Sequence, residues 1–186
     1  SLLNEDDWLE DMAEPYRSDS WKLMAKEAPN IDAFVTPSKY YKQLFIDKTG
    51  ISGENIHVIP LGIEPGNLTT LKKTVTTPGL GYFCRLNSHN GFDKIVDAFI
   101  EIRKQDAIPG LTFHVSGGFT GVDKAFISEQ IKKVKENGLR DSVRIYPEFR
   151  GYSKERFFSS IDIMSVPVRK YDGYGLYILE ANAAGV

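Results

Sequence analysis

The stretch "LGYFCRLNSHNGFDKIVDAFIEIRKQ" (80–105) places an apolar segment of strand length before a longer segment whose apolar residues have helical spacing. The same order follows downstream, where "LTFHVSGG" (111–118) precedes "KAFISEQIKKVKENG" (124–138). The strand-like segments are almost continuously apolar, which is typical of strands buried on both faces of a parallel sheet with crossover helices. The pattern therefore predicts an α/β fold with a Rossmann-like parallel sheet and flanking helices.

Further elements surround this alternating order. Downstream, a strand, a helix and a strand are predicted from "SVRIYP", "SKERFFSSI" and "DIMSVPV", and a last helix begins near Tyr174. Upstream, two helices are predicted in residues 2–28. A strand at 31–37, a third helix at 38–50 and another strand at 55–60 follow. Ser38 can cap the third helix, and Gly50 can end it.

A change of composition separates the two groups of elements. Residues 61–79 are rich in Gly, Pro and Thr and show little periodicity, which is typical of a linker. We therefore expect a first region at residues 1–63, a linker at 64–78 and a second region at 79–186.

Composition and charge disfavour several classes of protein. The 186 residues are 41% hydrophobic and 26% charged with a net charge of −2, so nothing indicates a nucleic-acid partner. No apolar run approaches the roughly 20 residues that span a bilayer, and the N-terminal residues lack the pattern of a signal peptide. Cys84 is the single cysteine, and the three histidines are dispersed. We expect a cytoplasmic protein that uses no metal or other cofactor.

The loops that follow the strands are the predicted ligand site. In doubly wound sheets the ligand binds at the carboxyl ends of the strands, over the loops that open the next helices. Those loops are residues 85–91, 116–121, 146–152 and 167–175. Each contains Gly or a charged or aromatic residue, so all four can face one crevice.

Arg85 and the pair Gly117–Gly118 are candidates in the first two loops. A guanidinium directly after a buried strand suits a phosphate or a carboxylate ligand, and the alternative is an ion pair with a carboxylate at the sheet edge. The two glycines let the backbone approach a ligand, although such a pair also occurs in simple turns. The sequence contains neither a G-x-G-x-x-G dinucleotide fingerprint nor a P-loop.

The last loop combines an acid with the start of a helix. Asp172 precedes "GYGLYILEANAA" (173–184), a good helix-forming segment. The amides of Gly175 and Leu176 would form an anion site aided by the helix dipole. Glu180 lies further along the helix and can accept hydroxyls, of which paired sugar hydroxyls are natural donors. The alternative is that Asp172 only caps the helix and Glu180 is a solvated helical residue.

The order of these features resembles the retaining, nucleotide-sugar-dependent glycosyltransferases of family 4, which have the GT-B fold. Five segments carry the resemblance, namely "NIHVIPLGIE" (55–64), "YFCRLNSHNGFDKIVDAF" (82–99), "FHVSGG" (113–118), "RIYPEFRGYSKERFFSSIDIMSVPV" (144–168) and "DGYGLYILEANAAGV" (172–186). The last is similar to the family's element of an acid, seven residues and a Glu. The resemblance implies that 79–186 is the C-terminal nucleotide-sugar-binding domain and that 1–63 is the tail of the N-terminal, acceptor-side domain.

The resemblance also implies roles for the residues of the last helix and for Arg85. Arg85 would bind the donor diphosphate, and Asp172 would hold sugar hydroxyls or support the transferred sugar. The amides of Gly175 and Leu176 would hold phosphate or sugar oxygens, and Glu180 would accept both ribose hydroxyls. Catalysis would consist largely of stabilising the departing nucleotide diphosphate without a metal.

Two residues depart from the family pattern, and the resemblance implies that the chain is cut at both ends. Asn90 stands where the family usually has Lys, and Asp172 stands where it usually has Glu. The loop at Tyr146 would flank the base, and Gly117 and Gly118 would lie near the donor. We expect an incomplete C-terminal domain that is inactive alone.

The expected function is part of a hexosyltransferase that moves a sugar from a nucleotide-diphosphate donor to a glycan, lipid or small-molecule acceptor. The family is compatible with glycan biosynthesis and with peripheral membrane association of the full-length parent. One alternative is a non-catalytic GT-B-like module that only binds a nucleotide sugar. Another is an enzyme of different chemistry on a similar fold, such as a nucleotide-sugar epimerase.

Overall fold

The computed structural model describes Leu9 and residues 12–73, 75–146, 151–169 and 174–186. The chain divides into two compact units, of which the first comprises residues 1–62 with 172–176 and the second comprises residues 63–171 and 177–186. The domain limits expected from the sequence stay a prediction. In the part of the chain that the structure describes, no helix has the length and apolar character to cross a bilayer.

In residues 12–62 of the first unit the structure has a small parallel sheet and two α-helices. Their bounds are α1 (Tyr16–Glu27), β1 (Phe34–Thr36), α2 (Lys39–Thr49) and β2 (Ile56–Val58). The predicted caps of α2 are confirmed, because Ser38 Oγ accepts the Tyr41 N–H at 3.1 Å and the helix ends at a left-handed Gly50. Trp21, Phe45 and Ile56 form the core of this unit with Leu9.

The second unit is built on a four-stranded parallel sheet, as predicted. Its strands are β3 (Gly79–Phe83), β4 (Thr112–Ser116), β5 (Val143–Tyr146) and β6 (Ile163–Met164). Their order across the sheet is β5-β4-β3-β6, and every pair is parallel. The helices are α3 (Phe92–Lys104), α4 (Lys124–Glu136), α5 (Gly151–Phe158) and α6 (Leu176–Ala183).

Two apolar clusters cover the two faces of this sheet. On one face, Tyr82 of β3 packs with residues of α3 and α4 such as Phe99 and Val134. On the other face, Phe83 packs with Phe157 of α5 and with α6. Successive strand residues point to opposite faces, so β3, whose five residues are all buried, needs apolar residues throughout.

The stretch predicted as a linker is packed on the second unit. It contains a 3-10 helix at Gly66–Thr70, and Leu68 is buried in the same cluster as Phe83. Asn67 Nδ2 donates to Glu155 Oε1 at 3.0 Å, and Lys73 forms an ion pair with Asp162. A stretch without sequence periodicity is therefore fixed here by side-chain contacts rather than left as a tether.

A cavity of about 50 Å³ lies under α4 and carries one prediction. It is lined by apolar residues, by Arg140 and by Gln130, which is 2% exposed and whose Oε1 has no hydrogen-bond partner among the described residues. Gln130 Nε2 reaches the Phe126 carbonyl only at 3.4 Å. Gln130→Leu should therefore raise the free energy of unfolding by about 1 kcal/mol, because an unpaired buried oxygen is removed.

Urea denaturation measures this change, with Gln130→Ala as the matched control. Alanine removes the same oxygen but enlarges the cavity, so it should destabilise the protein by about 2 kcal/mol. Equal losses in both variants would show that the Gln130 amide stabilises the fold.

Candidate functional site

The strand ends of the second unit place three of the predicted loops at one edge of the sheet. Phe83 of β3 lies opposite Ser116 of β4, which lies opposite Tyr146 of β5. The residues that follow these strands therefore leave the sheet side by side. Because β6 is also parallel to β3, the loop after β6 leaves at the same edge.

Arg85 follows β3 and is held by a carboxylate that the sequence analysis did not identify. Its Nε and Nη2 lie 3.3 and 3.1 Å from Asp123 Oδ2, and Nη2 also donates to Thr120 Oγ1 at 3.1 Å. The Arg85 side chain is 48% exposed, whereas that of Asp123 is 8% exposed. The ion pair that the alternative interpretation expected is thus present, and a ligand role for the half-exposed Arg85 stays a prediction.

Asp123 is fixed by its own loop. The Thr120 N–H and Oγ1 both donate to Asp123 Oδ2, at 2.7 and 2.9 Å, in a capping box that opens the short helical turn before α4. Burial disfavours the ionised carboxylate, but the hydrogen bonds from Thr120 and the Arg85 guanidinium outweigh it and hold the pKa of Asp123 below its usual range. The spacing of "TGVD" (120–123) was the sequence signal for this arrangement.

Tyr82 and Asn90 shape the backbone of the loop that carries Arg85. The fully buried Tyr82 donates its hydroxyl to the Arg85 carbonyl at 2.8 Å, and the Asn90 carbonyl lies 3.3 Å from the same hydroxyl. Asn90 Nδ2 donates to the Arg85 carbonyl at 3.4 Å. The Asn90 side chain therefore closes its own loop. Lys94, four residues further on in α3, is exposed.

The loops after β3 and β6 are joined to each other. The Arg169 N–H donates to the His89 carbonyl at 2.9 Å, and the Arg169 guanidinium pairs with Asp93 at the start of α3. A Cβ on Gly91 would lie 1.9 Å from the Pro167 carbonyl oxygen. Only a residue without a side chain permits this approach.

Gly117 and Gly118 bring the loop after β4 against the loop after β3. A Cβ on Gly117 would lie 1.8 Å from the Cys84 carbonyl oxygen, and the Leu86 N–H donates to the Gly118 carbonyl at 3.0 Å. The glycine pair thus permits close approach of two backbones. Its contact with a ligand stays a prediction.

Tyr146 contacts the interior of the sheet. Its hydroxyl lies 3.0 Å from Nδ1 of the buried His114, and its ring packs on Phe157. Thr112 Oγ1 donates to the Pro78 carbonyl, so it accepts from His114 Nε2 at 3.0 Å. His114 Nδ1 must then accept the Tyr146 proton, which assigns the tautomer of the ring. The side chain of Tyr146 therefore contacts the interior of the sheet. Residues 147–150, which follow it, lie outside the described residues, so the contact of this loop with a base stays a prediction.

Glu180 is paired with a lysine of α5. Glu180 Oε1 accepts Lys154 Nζ at 2.8 Å, and both side chains are mostly buried. Glu180 is therefore not the solvated helical residue of the alternative interpretation, and its contact with a ligand stays a prediction. No sequence motif pointed to Lys154, because the contact joins two helices that are separate in the chain.

The last helix begins at Leu176, two residues after the predicted start. Gly175, directly before it, is buried, and the Leu176 side chain is exposed. Asp172 lies outside the described residues, so its catalytic role stays a prediction.

The second unit thus offers an anchored cation at the end of β3 and a carboxylate on α6. A guanidinium suits phosphate oxygens, and a carboxylate suits paired hydroxyls. No group of three or more His, Cys, Asp or Glu that could hold a metal occurs among the described residues. That the reaction needs no metal stays a prediction.

Solved structures show where this fold occurs. The complex of Anabaena HepE with UDP and glucose matches 90% of this chain and 47% of its own at 18% identity, with a TM-score of 0.74. A glycosyltransferase from Rickettsia africae matches 92% of this chain and 46% of its own at 15% identity and a TM-score of 0.69. WaaG, a glycosyltransferase involved in lipopolysaccharide biosynthesis, matches 100% of this chain and 53% of its own at 14% identity and a TM-score of 0.67.

These matches show the fold of GT-B glycosyltransferase domains, and the chain spans about half the length of the structures. No curated protein matches the chain. The family model described as glycosyl transferases group 1 matches residues 77–186, which include Arg85, Asp123, Lys154 and Glu180. Because this match covers more than half of the chain, the chain belongs to the group 1 glycosyl transferase family.

Proposed function

We propose that this chain is the donor-binding part of a retaining, family 4 type hexosyltransferase. Its longer parent would transfer a sugar from a nucleotide-diphosphate donor to a glycan, lipid or small molecule. The observation that carries the proposal is the half-exposed Arg85, anchored at the carboxyl edge of the sheet within the family match. The Anabaena neighbour was solved with UDP and with UDP-glucose, which supports a nucleotide sugar as the ligand here.

In this proposal Arg85 neutralises the diphosphate as it departs, an electrostatic task for a preorganised cation. Glu180 accepts the ribose hydroxyls, with Lys154 holding its carboxylate in place. Asp172 holds the transferred sugar, and the amides of Gly175 and Leu176 bind oxygens of phosphate or sugar. No metal takes part, and the chain alone transfers no sugar because it spans only about half the length of the solved glycosyltransferases.

A non-catalytic nucleotide-sugar-binding module is the second candidate. The observation that favours it is Asn90, whose amide contacts the Arg85 carbonyl and supplies no charge to a phosphate. Transfer of a labelled sugar by the full-length parent separates the two candidates. The cytoplasmic location and the peripheral membrane association of the parent stay predictions.

The binding proposal predicts that the chain binds a nucleoside diphosphate through Glu180. Isothermal titration calorimetry with UDP, GDP and ADP should show saturable binding of at least one. Glu180→Gln should weaken binding of that nucleotide about tenfold, since hydrogen bonds to a charged acceptor are lost. The 2′-deoxy form should bind the wild type weakly, and the variant should discriminate less between the two forms.

Glu155→Gln is the matched control. It makes the same chemical change on α5, where Glu155 accepts from Asn67, and should leave nucleotide affinity unchanged. If a folded wild-type sample binds none of the three nucleotides, the proposed donor site is wrong and only the family and fold remain.

A further inference from the structure

We infer that Asp123 is a positioning residue for Arg85, which it holds in one orientation so that Nη1 faces the donor diphosphate. The inference rests on the proposed function, because it names how the proposed phosphate ligand is presented. It concerns a residue of the loop after β4 to which the proposed function assigns no contact with the donor.

The Asp123 carboxylate is held more rigidly than the Arg85 side chain that it contacts. Asp123 Oδ2 accepts from both the backbone N–H and the hydroxyl of Thr120, three residues earlier. Asp123 also immediately precedes α4, so its backbone is fixed by the helix. The Arg85 side chain is half exposed and long. A fixed carboxylate therefore sets the direction of a side chain that would otherwise sample many rotamers.

The Arg85 guanidinium has N–H groups on three nitrogen atoms, and two of these nitrogens already contact acceptors. Nε donates to Asp123, and Nη2 contacts both Asp123 and Thr120 Oγ1. Among the described residues, none accepts from Nη1. Each terminal nitrogen carries a pair of N–H donors. The edge that faces α4 is thus occupied, and the N–H groups of Nη1 are the ones left for an anion.

Asp123 could alternatively compete with the diphosphate for Arg85. Competition would require Arg85 to leave a carboxylate that is 8% exposed. That carboxylate would keep only the contacts from Thr120, and an unpaired buried charge is costly. Arg85 can instead keep Asp123 and bind phosphate through Nη1 at the same time. The contacts therefore favour an anchor over a competitor.

The test measures binding of UDP and of uridine to the 186-residue chain, with GDP or ADP and their nucleosides if the base differs. Asp123→Asn keeps an acceptor for the Thr120 N–H but removes the charge that orients Arg85. We expect diphosphate affinity to fall about tenfold, the usual effect of losing one charge-assisted contact, while nucleoside affinity is unchanged. A purely structural role would weaken both ligands equally.

A double-mutant cycle shows whether the effect passes through Arg85. In an Arg85→Gln background, Asp123→Asn should change diphosphate affinity less than twofold, because the group that it orients is gone. Thr120→Val removes the hydroxyl but keeps Asp123, so it should give a smaller loss of about threefold. Thr120→Ser is its control and should bind as the wild type does. If Asp123→Asn does not fold, the threonine pair gives the result.

Three outcomes overturn the inference. Unchanged or tighter diphosphate binding by Asp123→Asn would show that the carboxylate competes with the ligand. An equal loss with and without Arg85 would show that Asp123 acts by another route. A wild-type chain that binds no nucleotide would overturn the proposed function as well, and the first two outcomes leave that function standing.

Discussion

Gly117→Ala is expected to lower the free energy of unfolding by more than about 3 kcal/mol, and the variant should accumulate poorly in a folded form. The new Cβ would lie 1.8 Å from the Cys84 carbonyl oxygen and 2.7 Å from its carbon. These are backbone atoms, so no side chain can rotate away. The two strand ends are also held by hydrogen bonds from Cys84 N–H to Ser116 and from Leu86 N–H to Gly118.

Gly121→Ala is the matched control in the same loop. A Cβ at Gly121 meets no atom within 4 Å, so this variant should stay within about 1 kcal/mol of the wild type. Urea denaturation followed by circular dichroism compares the two. A Gly117→Ala variant as stable as Gly121→Ala would mean that the loop after β4 can move away from Cys84.

The second large effect is a loss of stability in mild acid caused by His114. Burial, with the positive charges of Arg144 and Lys73, lowers the pKa of His114 to about 4 from its usual 6.5. The unfolded chain therefore takes up a proton at a higher pH than the folded chain does. The contribution of His114 to the free energy of unfolding is therefore expected to be fully present above about pH 6.5. It should fall as the pH drops, by about 2 kcal/mol at pH 5 and about 3 kcal/mol at pH 4.

Urea denaturation between pH 8 and pH 4 measures this dependence, with His114→Gln as the comparison. Glutamine cannot be protonated, so the variant should be less stable at pH 7 and lose much less stability between pH 6.5 and pH 4. Asp123 and Asp162, whose pKa values lie below the usual 3.8, lose their contribution only at lower pH. An unchanged slope in His114→Gln would assign the effect to other groups.

The elements that depend on neighbouring residues in the chain were predictable. The caps at Ser38 and Gly50, and the parallel sheet inferred from continuous apolar strands, follow from local geometry and burial. Among the described residues of the predicted linker, the longest regular element is the 3-10 helix at Gly66–Thr70.

The partners of the candidate site were not predictable from the sequence. Arg85 pairs with a residue 38 positions away, and Glu180 with one 26 positions away. An ion pair leaves no periodic mark on the sequence, since many charged residues could fill either role. Only "TGVD" carried a local signal, because a capping box has a fixed spacing.

The joined loops after β3 and β6 have a consequence for how this edge of the sheet responds to a ligand. Three contacts join the two loops: the hydrogen bond from Arg169 N–H to the His89 carbonyl, the ion pair of Arg169 with Asp93, and the close approach of Gly91 to Pro167. We therefore expect that neither loop can shift alone. Ordering one of them also orders the other, so the entropy cost of binding is shared across both segments. We therefore expect that an insertion in one of these loops would require a compensating change in the other, so that the two loops would vary together.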